Sequence, residues 1–390
     1  MTLLAAAVLA KGAWTAWAHH NDGDMLQRAQ EYDCFRRGIY PNRAIEGPAT
    51  PTGTPYSVYP PYALPMFALF FEPGGWLQGR IFVQGLSLAA LLAMGQFGWR
   101  TMRLHGGDTA WAAVGGVAAA AIGGNCSALA RGQFSIICVG LIVAQIVLLE
   151  RGRVAAAGLC WSLAMLKPQI ALPFALLFLV DRQWRGLLVG LAILACLSLF
   201  SCWWTDVSPL TVARHWLFDM PLQFTESANN VGPATISKWL GISPRFGQLV
   251  ALGTLVLTLV ALAVLAALGR GRAAAWLAQR KPGAAAWAVA GRDMLPVAAI
   301  CGLLGELFMY HFHYDNVMLF PAVLCLLAMA CATPSWRTIS AAAVLGSTVW
   351  LPQSAFDAFP ALALLRAAVW VVSCVALVAL VARRHRYAAA

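Results

Sequence analysis

The sequence of 390 residues has few charged side chains, since Asp, Glu, Lys and Arg together make up 11% of it. A soluble domain contains roughly 25% of these residues, because charged groups keep its surface in water. With 60% hydrophobic residues, the chain lacks the polar side chains needed to cover a water-soluble fold. The composition also excludes a disordered chain and, despite a formal net charge of +11, a soluble nucleic-acid binder.

Motifs for several kinds of chemistry are missing as well. The ten cysteines form no Cys-x-x-Cys pair and no metal-ligand spacing, so neither a disulfide scaffold nor a zinc site is expected, although Cys34 and Cys126 could pair. A Walker loop is also missing, and nothing supports ATP hydrolysis. We therefore expect no metal and no other cofactor.

The sequence does contain many apolar runs that could cross a lipid bilayer. A transmembrane helix needs about 20 mostly apolar residues, and on this criterion the chain has about twelve candidates (roughly 10–13). The sequence thus predicts an all-α, polytopic integral membrane protein with a single domain over residues 1–390. The candidate spans are 2–18, 80–99, 109–125, 133–149, 154–166, 168–180, 186–204, 246–269, 294–310, 316–332, 338–351 and 361–382.

The distribution of Lys and Arg predicts the orientation of these spans. Short basic loops stay in the cytoplasm, and the basic turns of this sequence fall on one side if the N-terminus starts inside. Both termini and the basic loop 270–293 are then cytoplasmic, in a plasma or inner cell membrane. The long loops 19–79 and 205–245 face outside. Residues 2–18 are expected to form a retained helix, although positions 16–18 resemble a signal-peptidase site.

Polar side chains that could carry chemistry gather on the predicted outer face. They come from four loops that are far apart in sequence, and such convergence is what a single site at the membrane boundary would produce. These residues are His19, His20, Asp22, Asp24, Arg131, Gln133, Lys167, His311, His313, Tyr314 and Asp315.

Asp24 has two interpretations. With Gln27 it forms a capping box, which would open an amphipathic helix that runs through Met25 and Phe35 and stops at Gly38. Alternatively, Asp24 is a carboxylate at the membrane edge that accepts a proton from a hydroxyl nucleophile.

The late cluster begins with His311 and His313. Metal binding is disfavoured, because residues i and i+2 diverge on a helix and no Cys or third His is near in sequence. Interfacial packing and binding of an anionic head group remain as alternatives.

Two cations, Arg131 and Lys167, are predicted near helix ends on the outer side. Either could extend to lipid phosphate. Lys167 precedes Pro168 between two apolar runs, which predicts a broken hairpin or a kinked helix, and a charge at such a break usually faces a polar cavity. Glu306 is acidic within a span and could pair with Arg366.

Three groups of motifs follow one another along the chain. They are Asp24-Met25 with Arg37-Gly38-Ile39-Tyr40-Pro41 and Tyr59-Pro60-Pro61, then Gly132-Gln133 with Lys167-Pro168, and finally His311-Phe312-His313-Tyr314-Asp315. Together they resemble the signature of glycosyltransferase family 87, membrane enzymes of the GT-C fold that include polyprenyl-phosphate-mannose-dependent α-mannosyltransferases. The resemblance extends from about residue 20 to residue 335.

The resemblance implies a GT-C-like bundle whose first outer loop is catalytic and contains amphipathic helices. It implies a hexosyltransferase that moves a hexose, expected to be mannose, from a polyprenyl-phosphate sugar to a hydroxyl of a glycolipid or glycan at the outer face. Asp24 would be the general base, with Asp22 as the alternative. The residues implied in donor-phosphate or substrate binding are Arg131, Gln133, Lys167, His311, His313, Tyr314, Asp315 and Tyr40.

The main alternative function is a transporter or flippase of a lipid-linked or anionic solute. Transporters usually concentrate charge at the membrane midplane and often contain repeated halves. In this sequence the polar residues gather at one predicted face and no internal repeat is evident. The sequence therefore favours the enzyme.

Overall fold

The computed structural model of the chain consists of helices joined by turns. Within the residues that it describes, no β-strand is present. The predicted span 246–269 and the basic loop 270–293 lie outside those residues, apart from positions 246 and 253, and so does much of the loop 205–245. The described residues are 1–18, 23–42, 57–72, 74–180, 182–216, 241–243, 246, 253, 294–308, 311–351 and 360–387.

The helices of the described residues are numbered here in chain order. A 3-10 segment, His313–Leu319, leads directly into α14, and α10 contains a 3-10 turn at Leu172–Ala175. The helices are α1 (Thr2–Ala18), α2 (Gly23–Arg36), α3 (Ala63–Met66), α4 (Ala68–Phe71), α5 (Gly75–Leu104), α6 (Thr109–Ala118), α7 (Gly124–Arg131), α8 (Ser135–Glu150), α9 (Val154–Ala164), α10 (Pro168–Val180), α11 (Trp184–Trp204), α12 (Pro209–Arg214), α13 (Leu295–Phe308), α14 (Phe320–Ala332), α15 (Trp336–Trp350) and α16 (Pro360–Tyr387).

The predicted apolar runs within the described residues all contain helices, so the all-α prediction is confirmed for that part of the chain. The predicted number of spans is not confirmed. Three described helices are long and apolar enough to cross a membrane, namely α5, α11 and His313–Ala332, and the bent pair α7 and α8 makes a fourth if it counts as one span. The other apolar helical stretches, including Leu365–Leu380 within α16, have 10–17 residues, and breaks in the chain separate several of them, such as α9 and α10. Irregular backbone at such breaks is tolerated in a membrane where protein covers it.

The helices differ in how much of their surface other helices cover. In the most apolar stretch of His313–Ala332, 89% of the residues are buried, against 28% for α5 and for α11. The exposed faces are apolar, as shown by Leu92 on α5, Leu188 on α11 and Val372 on α16. Large exposed apolar faces of this kind are stable in lipid and unfavourable in water. The chain is therefore a membrane protein with α13 and α14 in its interior.

The helix predicted at the start of the first loop is present as α2. Its residues Met25 and Phe35 are buried, and it ends shortly before Gly38, whose φ is +77°. The predicted amphipathic helix is therefore confirmed. It packs against α3, α4, α5 and α7, so this part of the first loop is folded onto the helical bundle.

The helices α5 and α6 approach each other through glycines. Gly98 on α5 faces Gly115 on α6, and Gly95 faces Gly116. A Cβ atom on Gly98 would overlap the backbone oxygen of Gly115. Small residues at such crossings allow the backbones of membrane helices to come close together.

We predict that Gly98→Ala destabilises the protein, because the added methyl group has to push α6 away. Overpacking of this kind costs about 1–3 kcal/mol. The matched control is Gly85→Ala on the same helix, where a Cβ would meet nothing within 4 Å. Thermal unfolding of the purified variants measures the effect. Equal unfolding temperatures for the two variants would contradict the close contact between α5 and α6.

Candidate active site

The site is built around a bend between α7 and α8. The two helix axes differ in direction by 113°. Gly132 ends α7 with φ +67°, a left-handed conformation that favours glycine. The side chain of Met25 occupies the space where a Cβ of Gly132 would lie. The bend therefore brings α2, from the first loop, against the segment between α7 and α8.

At this bend Asp24 and Gln133 are in contact. Gln133 Nε2 donates a hydrogen bond of 2.7 Å to Asp24 Oδ2, although the two residues are 109 positions apart in sequence. Gln133 is buried and Asp24 is half-buried in the first turn of α2, where the helix dipole favours a negative charge. A capping box alone does not require such a tertiary contact. The predicted residues Asp24 and Gln133 thus lie together.

The break at Lys167-Pro168 separates α9 from α10, as predicted. Pro168 opens α10 without loss of a helical hydrogen bond, because the first helical N–H has no partner within its helix. Trp161 Nε1 on α9 donates a hydrogen bond of 2.9 Å to the carbonyl oxygen of Ala171 across the break. The side chain of Lys167 is only 4% exposed, so this cation is inside the protein.

Lys167 forms a buried ion pair with Asp315. Its Nζ lies 2.8 Å from Asp315 Oδ1 and 2.9 Å from Ser135 Oγ, and 4.5 Å from the ring centroid of Tyr314. Ser135 Oγ donates a hydrogen bond of 2.6 Å to the same carboxylate oxygen. The first residue of α8, the break before α10 and the 3-10 segment are held together at one point.

The two late histidines lie in different surroundings. His311 is buried, with Nδ1 3.7 Å from Asp315 Oδ2, and its Nε2 donates a hydrogen bond of 3.1 Å to the carbonyl oxygen of Gly305. His313 is half-buried, and its ring centroid is 5.7 Å from that of Tyr314. The structure therefore joins His311, Asp315 and Tyr314 to Lys167, whereas His313 lies at the edge of this cluster.

A short segment of chain links the two polar groups. Gln133 contacts Asp24, and two residues later Ser135 contacts Lys167 and Asp315. Phe134 lies between them and packs against aromatic rings of the first loop, including Tyr59 at 6.2 Å. A carboxylate and a paired cation therefore flank the same bend.

Two predicted residues, Arg131 and Tyr40, are not part of these two groups. Arg131 is exposed at the end of α7. Tyr40 is buried in the first loop, and this burial raises the pKa of its hydroxyl. Asp22 lies outside the described residues, as do His19 and His20.

Arg28 and Glu31 extend the site and were not predicted from the sequence. Arg28 Nη2 lies 2.9 Å from Glu31 Oε1, and both side chains are buried. The Arg28 guanidinium lies 4.7 Å from the ring centroid of Tyr59. Burial raises the pKa of Glu31 to about 7, although the Arg28 charge lowers it in part. The i, i+4, i+7 spacing from Asp24 places all three on one face of α2, a signal that the sequence did contain.

All ten cysteines lie within the described residues, and none of them forms a disulfide bond there. Cys34 and Cys126 therefore do not pair. Within the same part of the chain, no group of three or more His, Cys, Asp or Glu side chains has an arrangement that could hold a metal ion.

We predict that Lys167→Met lowers the free energy of unfolding by about 3–5 kcal/mol, because it leaves the Asp315 carboxylate buried without its cation. Adding Asp315→Asn to this variant should restore most of the loss. The exposed Arg131→Met is the control and should unfold like the wild type. Thermal unfolding in detergent measures all four proteins. A Lys167→Met variant as stable as the wild type would exclude a structural role for the pair.

A second prediction concerns pH and Glu31. Its pKa is about 7 in the folded protein, against an ordinary value of 4.5. Between these values the folded chain binds more protons than the unfolded chain, so this group's contribution to stability falls as pH rises through that window. The loss is at most about 3 kcal/mol. Glu31→Gln should unfold with a weaker dependence on pH between 5 and 8 than the wild type. The same slope in both proteins would contradict the raised pKa.

No curated protein matches the chain closely enough to count as a relative. The sequence profile of glycosyltransferase family 87 matches residues 58–292, which is more than half of the chain. The matched range contains Gln133 and Lys167, begins after Asp24 and ends before His311. The chain therefore belongs to glycosyltransferase family 87, as its motifs predict.

Proposed function

We propose that this membrane protein is a GT-C-fold glycosyltransferase that moves a hexose, expected to be mannose, from a polyprenyl-phosphate sugar to a hydroxyl of a glycolipid or glycan. Asp24 is the general base in this proposal. The observation that carries it is the hydrogen bond of 2.7 Å from Gln133 to Asp24, which orients a carboxylate in the first loop. Membership in glycosyltransferase family 87 supports sugar transfer as the reaction.

The proton acceptor would be Asp24 Oδ1. Gln133 holds Oδ2, and within the described residues nothing donates to Oδ1, so this oxygen is available to an acceptor hydroxyl. The base takes the hydroxyl proton as the acceptor oxygen attacks the anomeric carbon of the donor sugar. The bond from that carbon to the phosphate oxygen breaks, and its electron pair leaves with the phosphate. A phosphate leaving group needs little help from an acid.

The cation proposed for the donor phosphate is Lys167. An ammonium group has three N–H donors, and two of them are directed to Asp315 and Ser135. The third remains for a phosphate oxygen. The pairing with Asp315 reduces the net charge of this cluster. In this proposal Lys167 therefore contributes more by orienting the donor phosphate than by attracting it.

The other predicted binding residues take supporting roles in the proposal. His311 and Asp315 orient Lys167, Tyr314 lies beside its ammonium group, and His313 and the exposed Arg131 contact the head group from the edge. Tyr40 shapes the first loop. The site is on the outer side of a cell membrane, with both termini cytoplasmic, as the positions of the basic loops indicate.

We predict that Asp24→Asn lowers the rate of transfer about 100- to 10,000-fold, because the amide cannot accept the hydroxyl proton. The assay uses purified protein in liposomes with a radiolabelled polyprenyl-phosphate hexose and an acceptor extract, and it measures labelled product. Product formed by the wild type supports the enzyme. Label that moves between leaflets without product would identify a flippase instead.

The matched control is Asp33→Asn on the same helix, where the carboxylate is 41% exposed and pairs with Arg37. It should retain wild-type activity. Asp22→Asn is made in parallel, because Asp22 is the alternative base. If Asp24→Asn is fully active and Asp22→Asn loses activity, the general base is Asp22. Full activity of both variants would exclude the proposed mechanism.

A further inference from the structure

Arg28 is a buried cation beside the proposed base that the mechanism above does not use. It lies one helical turn after Asp24 on α2, so the two side chains share a face of that helix. Arg28 is 5% exposed. Its Nη2 lies 2.9 Å from Glu31 Oε1, and this is its one ion pair within the described part of the chain.

Two of the three guanidinium nitrogens of Arg28 lack acceptors within the described part of the chain. Nε and Nη1 are buried and have no hydrogen-bond partner among the residues that the structure describes. The face of the guanidinium lies 4.7 Å from the ring centroid of Tyr59, which restricts its rotation toward other acceptors. A buried donor without an acceptor is unfavourable. A ligand that supplies acceptor oxygens would therefore bind here with a gain in free energy.

The local charge favours an anion as that ligand. Burial raises the pKa of Glu31 to about 7, so near neutral pH a large fraction of this carboxylate is uncharged. Glu31 then neutralises Arg28 only in part. An arginine forms strong, charge-assisted hydrogen bonds with phosphate oxygens.

We propose that Arg28 binds a phosphate group of a substrate beside Asp24. This inference rests on the proposed function, in which a phosphate has two sources. One is the polyprenyl phosphate of the donor, and the other is an acceptor built on a phospholipid. In either case the phosphate accepts hydrogen bonds from Nε and Nη1, while Nη2 stays with Glu31. Arg28 thereby fixes the position of the reacting sugar or hydroxyl relative to the base.

The test is a binding measurement with the full-length protein in detergent or nanodiscs. The probes are farnesyl phosphate for the donor source and phosphatidylglycerol for the acceptor source, with farnesol as the probe that lacks phosphate. Arg28→Met should weaken the binding of at least one phosphate probe about 10- to 100-fold and leave farnesol binding unchanged. Loss for farnesyl phosphate alone assigns Arg28 to the donor, and loss for phosphatidylglycerol alone assigns it to the acceptor.

The control variant is Arg36→Met on the same helix, whose side chain is 61% exposed; it should bind all probes like the wild type. Wild-type affinity of Arg28→Met for both phosphate probes would overturn the inference, and so would a wild-type protein that binds neither. A second variant covers the case in which Arg28→Met does not fold. Glu31→Gln removes the competing carboxylate and should tighten phosphate binding several-fold, whereas unchanged or weaker binding would count against the site.

The test of phosphate binding at Arg28 can be told apart from the test of Asp24 as the general base. Asp24→Asn keeps Arg28 and should bind the phosphate probes at least as well as the wild type, although it transfers no sugar. If Asp24→Asn retains transfer, the proposed base is wrong while phosphate binding at Arg28 can still be observed. If Arg28→Met binds both phosphate probes normally and Asp24→Asn is inactive, the phosphate site is wrong and the proposed base stands.

Discussion

The buried ion pair between Lys167 and Asp315 is the interaction on which the rest of the candidate site depends. A cation that is 4% exposed cannot be solvated by water, and leaving it without a partner would cost several kcal/mol. The carboxylate of Asp315 and the hydroxyl of Ser135 meet this requirement at 2.8 and 2.9 Å. The pair therefore fixes the break before α10, the start of α8 and the 3-10 segment relative to one another.

The bend between α7 and α8 connects this ion pair to the first loop. Ser135 is tied to the ion pair, and Gln133, two residues earlier, holds the carboxylate of Asp24. Farther along α2, Arg28 and Glu31 form a buried ion pair, and the Arg28 guanidinium lies over the ring of Tyr59. Acidic and basic groups thus lie close together across the site, with Lys167 paired to Asp315 and Arg28 to Glu31, while some donors and acceptors stay available. Such an arrangement suits the proposed reaction between a hydroxyl group and a sugar phosphate.

The sequence predicted those parts of the structure that depend on local patterns. The apolar runs predicted helices, the spacing of Met25 and Phe35 predicted α2, and Pro168 predicted the break after Lys167. Arg28 and Glu31 were missed, because charged residues on an amphipathic helix are expected to face solvent, whereas both are buried here. The number of spans was not confirmed, because hydrophobicity does not tell a helix that crosses a membrane from a shorter one that lies within the protein.

By itself, the sequence determined that this chain is a helical membrane protein with the motifs of glycosyltransferase family 87, since composition and local spacing are sufficient for that. Only the tertiary structure decided which polar residues meet. Gln133 and Asp24 are 109 positions apart, and Lys167 and Asp315 are 148 positions apart. Such pairs form because a buried charge or amide must find a partner wherever the packing of the helices brings one within reach, and that packing depends on contacts along the whole chain.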